Sequence, residues 1–258
     1  MNYIGIDIGS TCAKTVVLNE KKEIIQEFVQ PTGWSSVDTA EEIHQKLQLA
    51  GINLSDDSSC CVATGYGRIS VPYADKTVTE ITCHALGAVH LFQQPDLTVI
   101  DIGGQDTKII QIEQGFVKDF IMNDKCAAGT GRFLEVMANT LSLRPNEMFD
   151  LARMGSDTTI SSMCTVFAES EVIGLIGKGE PKENIAYAVV NSTIRKVAAQ
   201  VSRMNGEMST FCLTGGLCEC GYIREALSKE LGKEVISCPD ARYAGAIGAA
   251  LSAMKIRR

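Results

Sequence analysis

The stretch Ile6–Phe28, IDIGSTCAKTVVLNEKKEIIQEF, decides the fold because Ile100–Phe120, IDIGGQDTKIIQIEQGFVKDF, repeats its pattern. Both copies open with Ile-Asp-Ile-Gly, and a lysine follows the aspartate at the same spacing: Asp7 to Lys14 and Asp101 to Lys108. Apolar residues, a glycine turn and a second apolar run give each copy the pattern of a β-hairpin. Self-similarity of this kind predicts a duplicated structural unit.

Helical patterns follow the hairpins in each half. They cover residues 36–50 and 80–92, then 131–141, 166–178 and 184–203, and finally a small-residue segment opened by proline at 239–252. Strands followed by helices, twice over, predict an α/β fold with two domains that face each other across a cleft. The first domain is predicted to comprise residues 1–94 and 239–258, and the second residues 95–238.

Composition and charge narrow the functional class. The chain has 258 residues, of which 45% are hydrophobic and 21% charged, as in an ordinary globular protein. A formal net charge of −7 and the lack of a Lys/Arg stripe argue against nucleic-acid binding. The sequence begins without a signal-peptide pattern, and no apolar run reaches the roughly 20 residues of a membrane span. We therefore expect a cytoplasmic protein with no membrane role.

Glycine turns give the chain three candidate contacts for a nucleotide. Glycine lets the backbone approach a phosphate, whose oxygens then accept from N–H groups and hydroxyls. The first turn offers Gly9, Ser10, Thr11, Cys12, Ala13 and Lys14, the second Gly103, Gly104 and Gln105, and a third, for the nucleoside, Gly215 and Gly216. Asp7 and Asp101 end their strands and are predicted to be the catalytic carboxylates, which hold hydrated Mg2+ or orient an attacking water. A single Asp-x-Gly turn is more often a plain hairpin, so the prediction depends on the set.

The three turns, in this order, resemble the phosphate 1, phosphate 2 and adenosine motifs of the actin, sugar-kinase and Hsp70 ATPase superfamily. The resemblance implies a duplicated ribonuclease H-like fold that binds ATP or ADP in its cleft. The helices at 80–92 and 239–252 would be the segments that connect the two domains. The sequence has neither a P-loop motif nor a dinucleotide-binding glycine motif that would indicate another nucleotide fold.

Ten cysteines in a chain without an export signal do not predict a disulfide framework. Cys126, in NDKCAAGTGRFLE, and Cys164, in SSMCTVFAESEV, both precede helical patterns. The residues alone leave two interpretations open: a pair of buried core thiols, or half of a four-thiolate metal shell. The N–H groups at a helix N-terminus favour an anionic ligand, which suits the second interpretation. Cys218 and Cys220 are interpreted as structural residues.

Those two stretches, together with PDARYAGAIGAAL near the end, resemble the ATP-dependent activators of 2-hydroxyacyl-CoA dehydratases, a family that also includes the ATPase subunits of benzoyl-CoA reductase. The resemblance covers essentially the whole chain. It implies one [4Fe-4S] cluster between two identical subunits, each of which supplies Cys126 and Cys164. A homodimer would then complete the shell.

The resemblance also implies the activity. ATP binding and hydrolysis, with Mg2+, would drive one low-potential electron to an iron–sulfur partner enzyme. The partner would be a 2-hydroxyacyl-CoA dehydratase, an aryl-CoA reductase or a double-cubane cluster protein, and the donor a ferredoxin or flavodoxin. Two other functions stay open at this point: a small-molecule kinase of the same superfamily, and a regulatory ATPase module that needs neither cysteine.

Overall fold

The described residues, 1–161, 164–205 and 210–256 of a computed structural model, form two compact units. The first unit comprises Met1–Leu97, Ile110–Lys118 and Cys238–Arg258, and the second comprises Thr98–Ile109 and Asp119–Ser237. The predicted domain limits near residues 94 and 238 stay a prediction.

Two five-stranded sheets carry the fold. Their strands are β1 Asn2–Ile8, β2 Cys12–Leu18, β3 Ile24–Pro31, β4 Ser59–Thr64, β5 Lys76–Thr77, β6 Leu97–Ile102, β7 Thr107–Glu113, β8 Phe116–Asn123, β9 Thr210–Gly215 and β10 Val235–Ile236. The first sheet has the order β3-β2-β1-β4-β5, and the second has the order β8-β7-β6-β9-β10 when read from its other end. Each strand thus has a counterpart five strands later, so the two sheets share one topology. The predicted α/β fold with a duplicated unit is confirmed.

The helices lie close to where the sequence pattern predicts them. They are α1 Ser36–Leu49, α2 Glu80–Phe92, α3 Gly131–Thr140, α4 Pro145–Ala152, α5 Thr165–Gly177, α6 Lys182–Val201, α7 Gly221–Leu231 and α8 Ala244–Ile256. The predicted C-terminal helix begins as a 3₁₀ helix at Pro239–Tyr243 and continues as α8. The pattern did not predict α4 and α7. Of the helices in the described ranges, none has both the length and the apolar composition that a bilayer span requires.

Alternation along β1 decides what each of its residues contacts. On one face, β1 and α1 share a cluster of buried apolar side chains: Ile4, Ile6, Ile8, Ile43 and Leu47. Gly5 and Asp7 point to the other face, because successive side chains in a strand alternate. On that face α8 packs very closely, since a Cβ atom at Gly5 would lie only 1.9 Å from the carbonyl oxygen of Ala246. The close contact between α8 and β1 places Asp7 beneath the start of α8.

The turns that follow β1 and β6 have the same geometry. The N–H of Gly9 donates to the carbonyl oxygen of Cys12 at 3.2 Å, and the N–H of Gly103 donates to that of Asp106 at 2.9 Å. These are equivalent positions in the two copies of the repeat. In the first copy, β1 and β2 pair antiparallel, with Asp7 opposite Lys14. The predicted first hairpin is therefore present.

Candidate functional site

Asp7 carries a buried carboxylate that the backbone approaches closely from two sides. A Cβ atom at Gly65 would lie 2.4 Å from Asp7 Oδ1, and one at Gly245 would lie 2.5 Å from Oδ2. Oδ1 is buried and has no hydrogen-bond partner among the described residues. A buried oxygen without a partner is costly, so this atom has capacity for a donor beyond those that the described residues supply. A water that hydrates Mg2+, or an attacking water, could donate to it.

Asp101 occupies the equivalent position in the second copy and is surrounded differently. Its Oδ1 accepts a hydrogen bond from the Thr214 hydroxyl at 2.9 Å, and its Oδ2 lies 3.4 Å from Lys108 Nζ. Lys108 is 1% exposed and also contacts Asp106 Oδ2 at 2.6 Å. A buried lysine is tolerated when it is paired in this way. The arrangement fixes the orientation of the Asp101 carboxylate.

The third glycine turn approaches Asp101. Gly215 ends β9 with a φ of 82°, and a Cβ atom there would lie 2.7 Å from Asp101 Oδ1 and 2.6 Å from the carbonyl oxygen of Ile102. A side chain at this position would therefore clash as well as strain the backbone. The second and third predicted nucleotide motifs are thus adjacent in the second unit.

The other predicted nucleotide residues lie in the turns or directly after them. Gly9, Ser10 and Thr11 link β1 to β2, Cys12, Ala13 and Lys14 begin β2, Gly103, Gly104 and Gln105 link β6 to β7, and Gly216 follows β9. Thr32 holds the first turn from outside, since its N–H donates to Thr11 O at 2.9 Å and its hydroxyl to Gly9 O at 2.7 Å. The contacts of these residues with nucleotide stay a prediction.

Cys126 and Cys164 are distinguished from the other cysteines by exposure. All ten cysteines lie in the described residues, and these two alone are exposed. Burial raises the pKa of the Cys61 thiol, and it raises the pKa of Cys83 to about 12. Such thiols keep their protons at neutral pH and are poor metal ligands, because the thiolate is the form that binds metal. The core-thiol interpretation of Cys126 and Cys164 does not fit their exposure.

The two exposed cysteines stand in different backbone settings. Cys164 is the N-cap residue of α5, so it lies beside the free N–H groups at the start of that helix. Cys126 lies in the loop that leads to α3, whose N-cap residue is Thr130. Asn123 holds this loop, because its Nδ2 donates to Cys126 O at 2.8 Å and to Ala128 O at 3.0 Å.

Helix α5 presents an apolar surface next to Cys164. Only Ala168 and Val172 of this helix are buried. The large apolar side chains that remain exposed define what we name the α5 apolar face: Val166, Phe167, Ile173 and Ile176. The two exposed thiols, one of them at a helix N-terminus, could supply two of the four thiolates that a four-iron cluster takes.

Several residues of the site were not predicted from the sequence. Lys108 was noted for its spacing, but its contacts with Asp101 and Asp106 depend on the folded hairpin. Thr214 stands directly before Gly215 and Gly216 of the third turn. This position was the only sequence signal for its hydrogen bond to Asp101. His84 of α2 is buried, and a Cβ atom at Gly245 would lie 2.9 Å from its Cε1 as well as 2.5 Å from Asp7 Oδ2. Because Asp7, His84 and Gly245 are far apart in the sequence, no local pattern could have connected them.

Comparison with known proteins places the chain among ATPases. Residues 4–253 match the model of the BadF/BadG/BcrA/BcrD ATPase family. The (R)-2-hydroxyglutaryl-CoA dehydratase activating ATPase of Acidaminococcus fermentans is 43% identical over 257 residues, which cover 98% of this chain and 96% of that protein.

Solved structures give the same result for the fold. The crystal structure of A. fermentans (R)-2-hydroxyglutaryl-CoA dehydratase component A is 41% identical, with a TM-score of 0.91 over 99% of this chain and 98% of that one. The activator of the 2-hydroxyisocaproyl-CoA dehydratase from Clostridium difficile, with bound ADPNP, is 35% identical, with a TM-score of 0.89 over 99% and 95%. A ROK family glucokinase from Streptomyces griseus is 17% identical, with a TM-score of 0.59 over 99% and 100%, and shows the fold alone.

Proposed function

Because the chain belongs to the BadF/BadG/BcrA/BcrD ATPase family, as its motifs predicted, we propose that it is an ATP-dependent activator that delivers a low-potential electron to an iron–sulfur partner enzyme. It would act as a homodimer with one [4Fe-4S] cluster held by Cys126 and Cys164 of both subunits. The partner would be a 2-hydroxyacyl-CoA dehydratase, an aryl-CoA reductase or a double-cubane cluster protein. The donor would be a ferredoxin or flavodoxin.

The nucleotide half of the proposal is supported by the two aspartates and their turns. Asp7 has a buried oxygen with spare acceptor capacity, and the Asp101 carboxylate is oriented by its contacts with Lys108 and Thr214. Two carboxylates of this kind can position hydrated Mg2+ and the attacking water. The relative from Clostridium difficile is solved with ADPNP, which supports binding of ATP or ADP by this chain.

The redox half is carried by one observation: Cys126 and Cys164 are the two exposed cysteines among ten. Two thiolates are half of the shell that a four-iron cluster needs. When bound, the cluster supplies one-electron chemistry. The residues of this chain would supply the thiolates, and the N–H groups at the start of α5 would stabilise the negative charge.

The homodimer is supported by the α5 apolar face, because four large apolar side chains exposed on one helix form a patch of the kind that marks an interaction site. Two copies of the face, related by a twofold axis, would bring two copies of Cys164 to one region. Nucleotide turnover would provide the energy for electron delivery. Each ~100 mV by which the potential is lowered requires about 2.3 kcal/mol per electron.

The test compares four cysteine variants purified without oxygen: Cys126→Ala, Cys164→Ala, Cys218→Ala and Cys220→Ala. Symmetry removes two of the four thiolates in each of the first two, so iron content and visible absorbance should be nearly lost and the dimer should weaken in sedimentation. Cys218 is buried, and desolvation raises the pKa of the Cys220 thiol, so their variants serve as controls with iron retained.

Full iron content in the Cys126 or Cys164 variant would reject the shared cluster. A kinase of the same fold would behave differently again. It would phosphorylate a small hydroxyl compound, and this activity would survive both substitutions.

A further inference from the structure

The second glycine turn is bonded directly to the start of α3. The carbonyl oxygen of Gly103 accepts from the N–H of Gly131 at 2.9 Å, and that of Gly104 accepts from the N–H of Arg132 at 2.7 Å. Two consecutive carbonyl groups of the turn thus satisfy two N–H groups that would otherwise lack partners at the helix start. A shift of the turn must move the beginning of α3 or break both bonds.

The strand that leaves the turn contacts both the catalytic carboxylate and the cysteine loop. Asp106 and Lys108 point to one side, where Lys108 joins Asp106 to Asp101. Thr107 lies between them in sequence, so its side chain points to the other side. There its hydroxyl donates to the carbonyl oxygen of Gly129 at 2.6 Å, and the bond is buried.

Gly129 belongs to the loop that carries Cys126. Its φ of 86° suits glycine, and a Cβ atom there would lie 2.8 Å from Cγ of Lys196, so the loop has little room for another path. Within the loop, Thr130 donates to Ala127 O, and Asn123 donates to Cys126 O and Ala128 O. The loop is therefore a compact unit, and Thr107 fixes one point of it.

Within the described residues, the first copy of the repeat makes different bonds at this point. Its turn carbonyls accept from Thr32, a residue that follows β3, and not from a helix start. The position equivalent to Thr107 is Ala13, which has no hydroxyl to donate. Only the copy that carries the cysteine loop has a hydroxyl at this point.

We infer that Thr107 is a positioning residue that couples the nucleotide state of the second glycine turn to the Cys126 loop. Phosphate contacts at Gly103 and Gly104, and any change in the Asp101–Lys108–Asp106 group, displace the first residues of β7. Thr107 transmits this displacement to Gly129, and through the loop to Cys126, whereas the two bonds to α3 keep the start of that helix in place against the turn. The redox use of this coupling rests on the proposed function, but the coupling itself needs no cluster.

A thiol-reactivity experiment on cluster-free, reduced protein tests the inference. The rate at which iodoacetamide alkylates Cys126 is measured by peptide mass spectrometry without nucleotide, with Mg-ADP and with Mg-ADPNP. The wild-type rate should differ between nucleotide states by about fivefold or more, the lower end of ordinary coupling. In Thr107→Val the difference should fall to less than about twofold, while the affinity for nucleotide stays unchanged.

Two variants serve as matched controls. Thr98→Val removes a hydroxyl that is buried in β6 and has no partner among the described residues, so the nucleotide response should remain. Thr107→Ser keeps the hydroxyl and should restore the response. Loss of the response in Thr107→Val alone supports the inference, because a general loss of packing would affect both valine variants alike.

Three outcomes would overturn the inference that Thr107 couples the second glycine turn to the Cys126 loop. The first is a wild-type protein that binds nucleotide without any change in Cys126 reactivity. The second is a Thr107→Val variant with the full response. The third is a protein that binds no nucleotide, which would also reject the ATPase part of the proposed function. If the wild-type protein, purified without oxygen, contains no cluster, the redox part of the proposed function is rejected. The result of the thiol-reactivity experiment would still stand.

Discussion

The orientation of the Asp101 carboxylate depends on the side chains that surround it. Lys108 and Thr214 orient this carboxylate, and Asp106 gives Lys108 a second anionic partner at 2.6 Å. Asp101→Asn should therefore leave Lys108 paired and cost only about 1 kcal/mol of stability, the size of one altered hydrogen bond. ATP hydrolysis should fall by ~100-fold or more, because a preorganised charge is lost from the environment of magnesium and water.

Phosphate release and thermal unfolding, measured on the purified variant, check this prediction. Asp119→Asn is the control, since that residue is exposed in β8. Unchanged turnover in Asp101→Asn would place the catalytic carboxylate elsewhere, with Asp7 the next candidate because its buried Oδ1 has spare capacity.

The predictability of the site differs from residue to residue. Asp7, Asp101 and Cys126 could be predicted as site residues because short motifs contain them. Thr107 and Asn123 could not, because their roles are hydrogen bonds to the carbonyl oxygens of Gly129, Cys126 and Ala128, and a carbonyl group is the same in every residue. Sequence patterns report side-chain chemistry, whereas these contacts depend on where the backbone passes.

At the scale of elements, α5 exposes the four large side chains of the α5 apolar face, although the helix has only 13 residues. Its exposed Phe167 is 66% accessible, so replacement should hardly affect the folded subunit. Phe167→Glu should nevertheless weaken the dimer by about 2 kcal/mol or more, as expected for an aromatic side chain central to an interface. Charge repulsion across the twofold axis adds to the loss of apolar contact.

Sedimentation equilibrium of cluster-free protein measures this effect without a contribution from iron. Leu49→Glu on α1 is the matched control, because Leu49 is 89% exposed but distant in sequence from either cysteine. If Phe167→Glu and Leu49→Glu dimerise like the wild type, the α5 apolar face is not the subunit interface.

Helices could be predicted from the sequence where the spacing of apolar residues repeats over a long stretch. The helices at α1, α2, α5 and α6 each extend over 13 residues or more, which gives the pattern several turns to repeat. Helix α4 has only 8 residues, and α7 buries only Ile223 and Leu227. Neither offers enough apolar positions for a period to stand out, because packing against α6 rather than local pattern stabilises them.

At the scale of the whole molecule, the two sheets share one topology but differ in the residues that hold their glycine turns. Both copies place an aspartate before a glycine turn, with a lysine on the next strand. In the first copy Thr32 closes the turn, whereas in the second the cysteine loop and α3 do so. The second copy therefore joins its glycine turn to the start of α3, and through Thr107 to the loop that carries Cys126.

The nucleotide site and the proposed cluster depend on different side chains, and this difference predicts how the protein fails in air. The proposed cluster must pass its electron to a partner enzyme, so we expect one edge of it to stay open to solvent, where oxygen should reach it readily. The aspartates and turns of the nucleotide site need no reduced thiol, because Asp7 and Asp101 act through carboxylate oxygens. Visible absorbance and electron delivery should thus be lost first, and the dimer should then weaken because the metal centre that bridges it is gone. Nucleotide affinity, followed with a fluorescent ATP analogue, should outlast both. Simultaneous loss of all three signals, or full absorbance after hours in air, would contradict an exposed cluster that is separate from the nucleotide site.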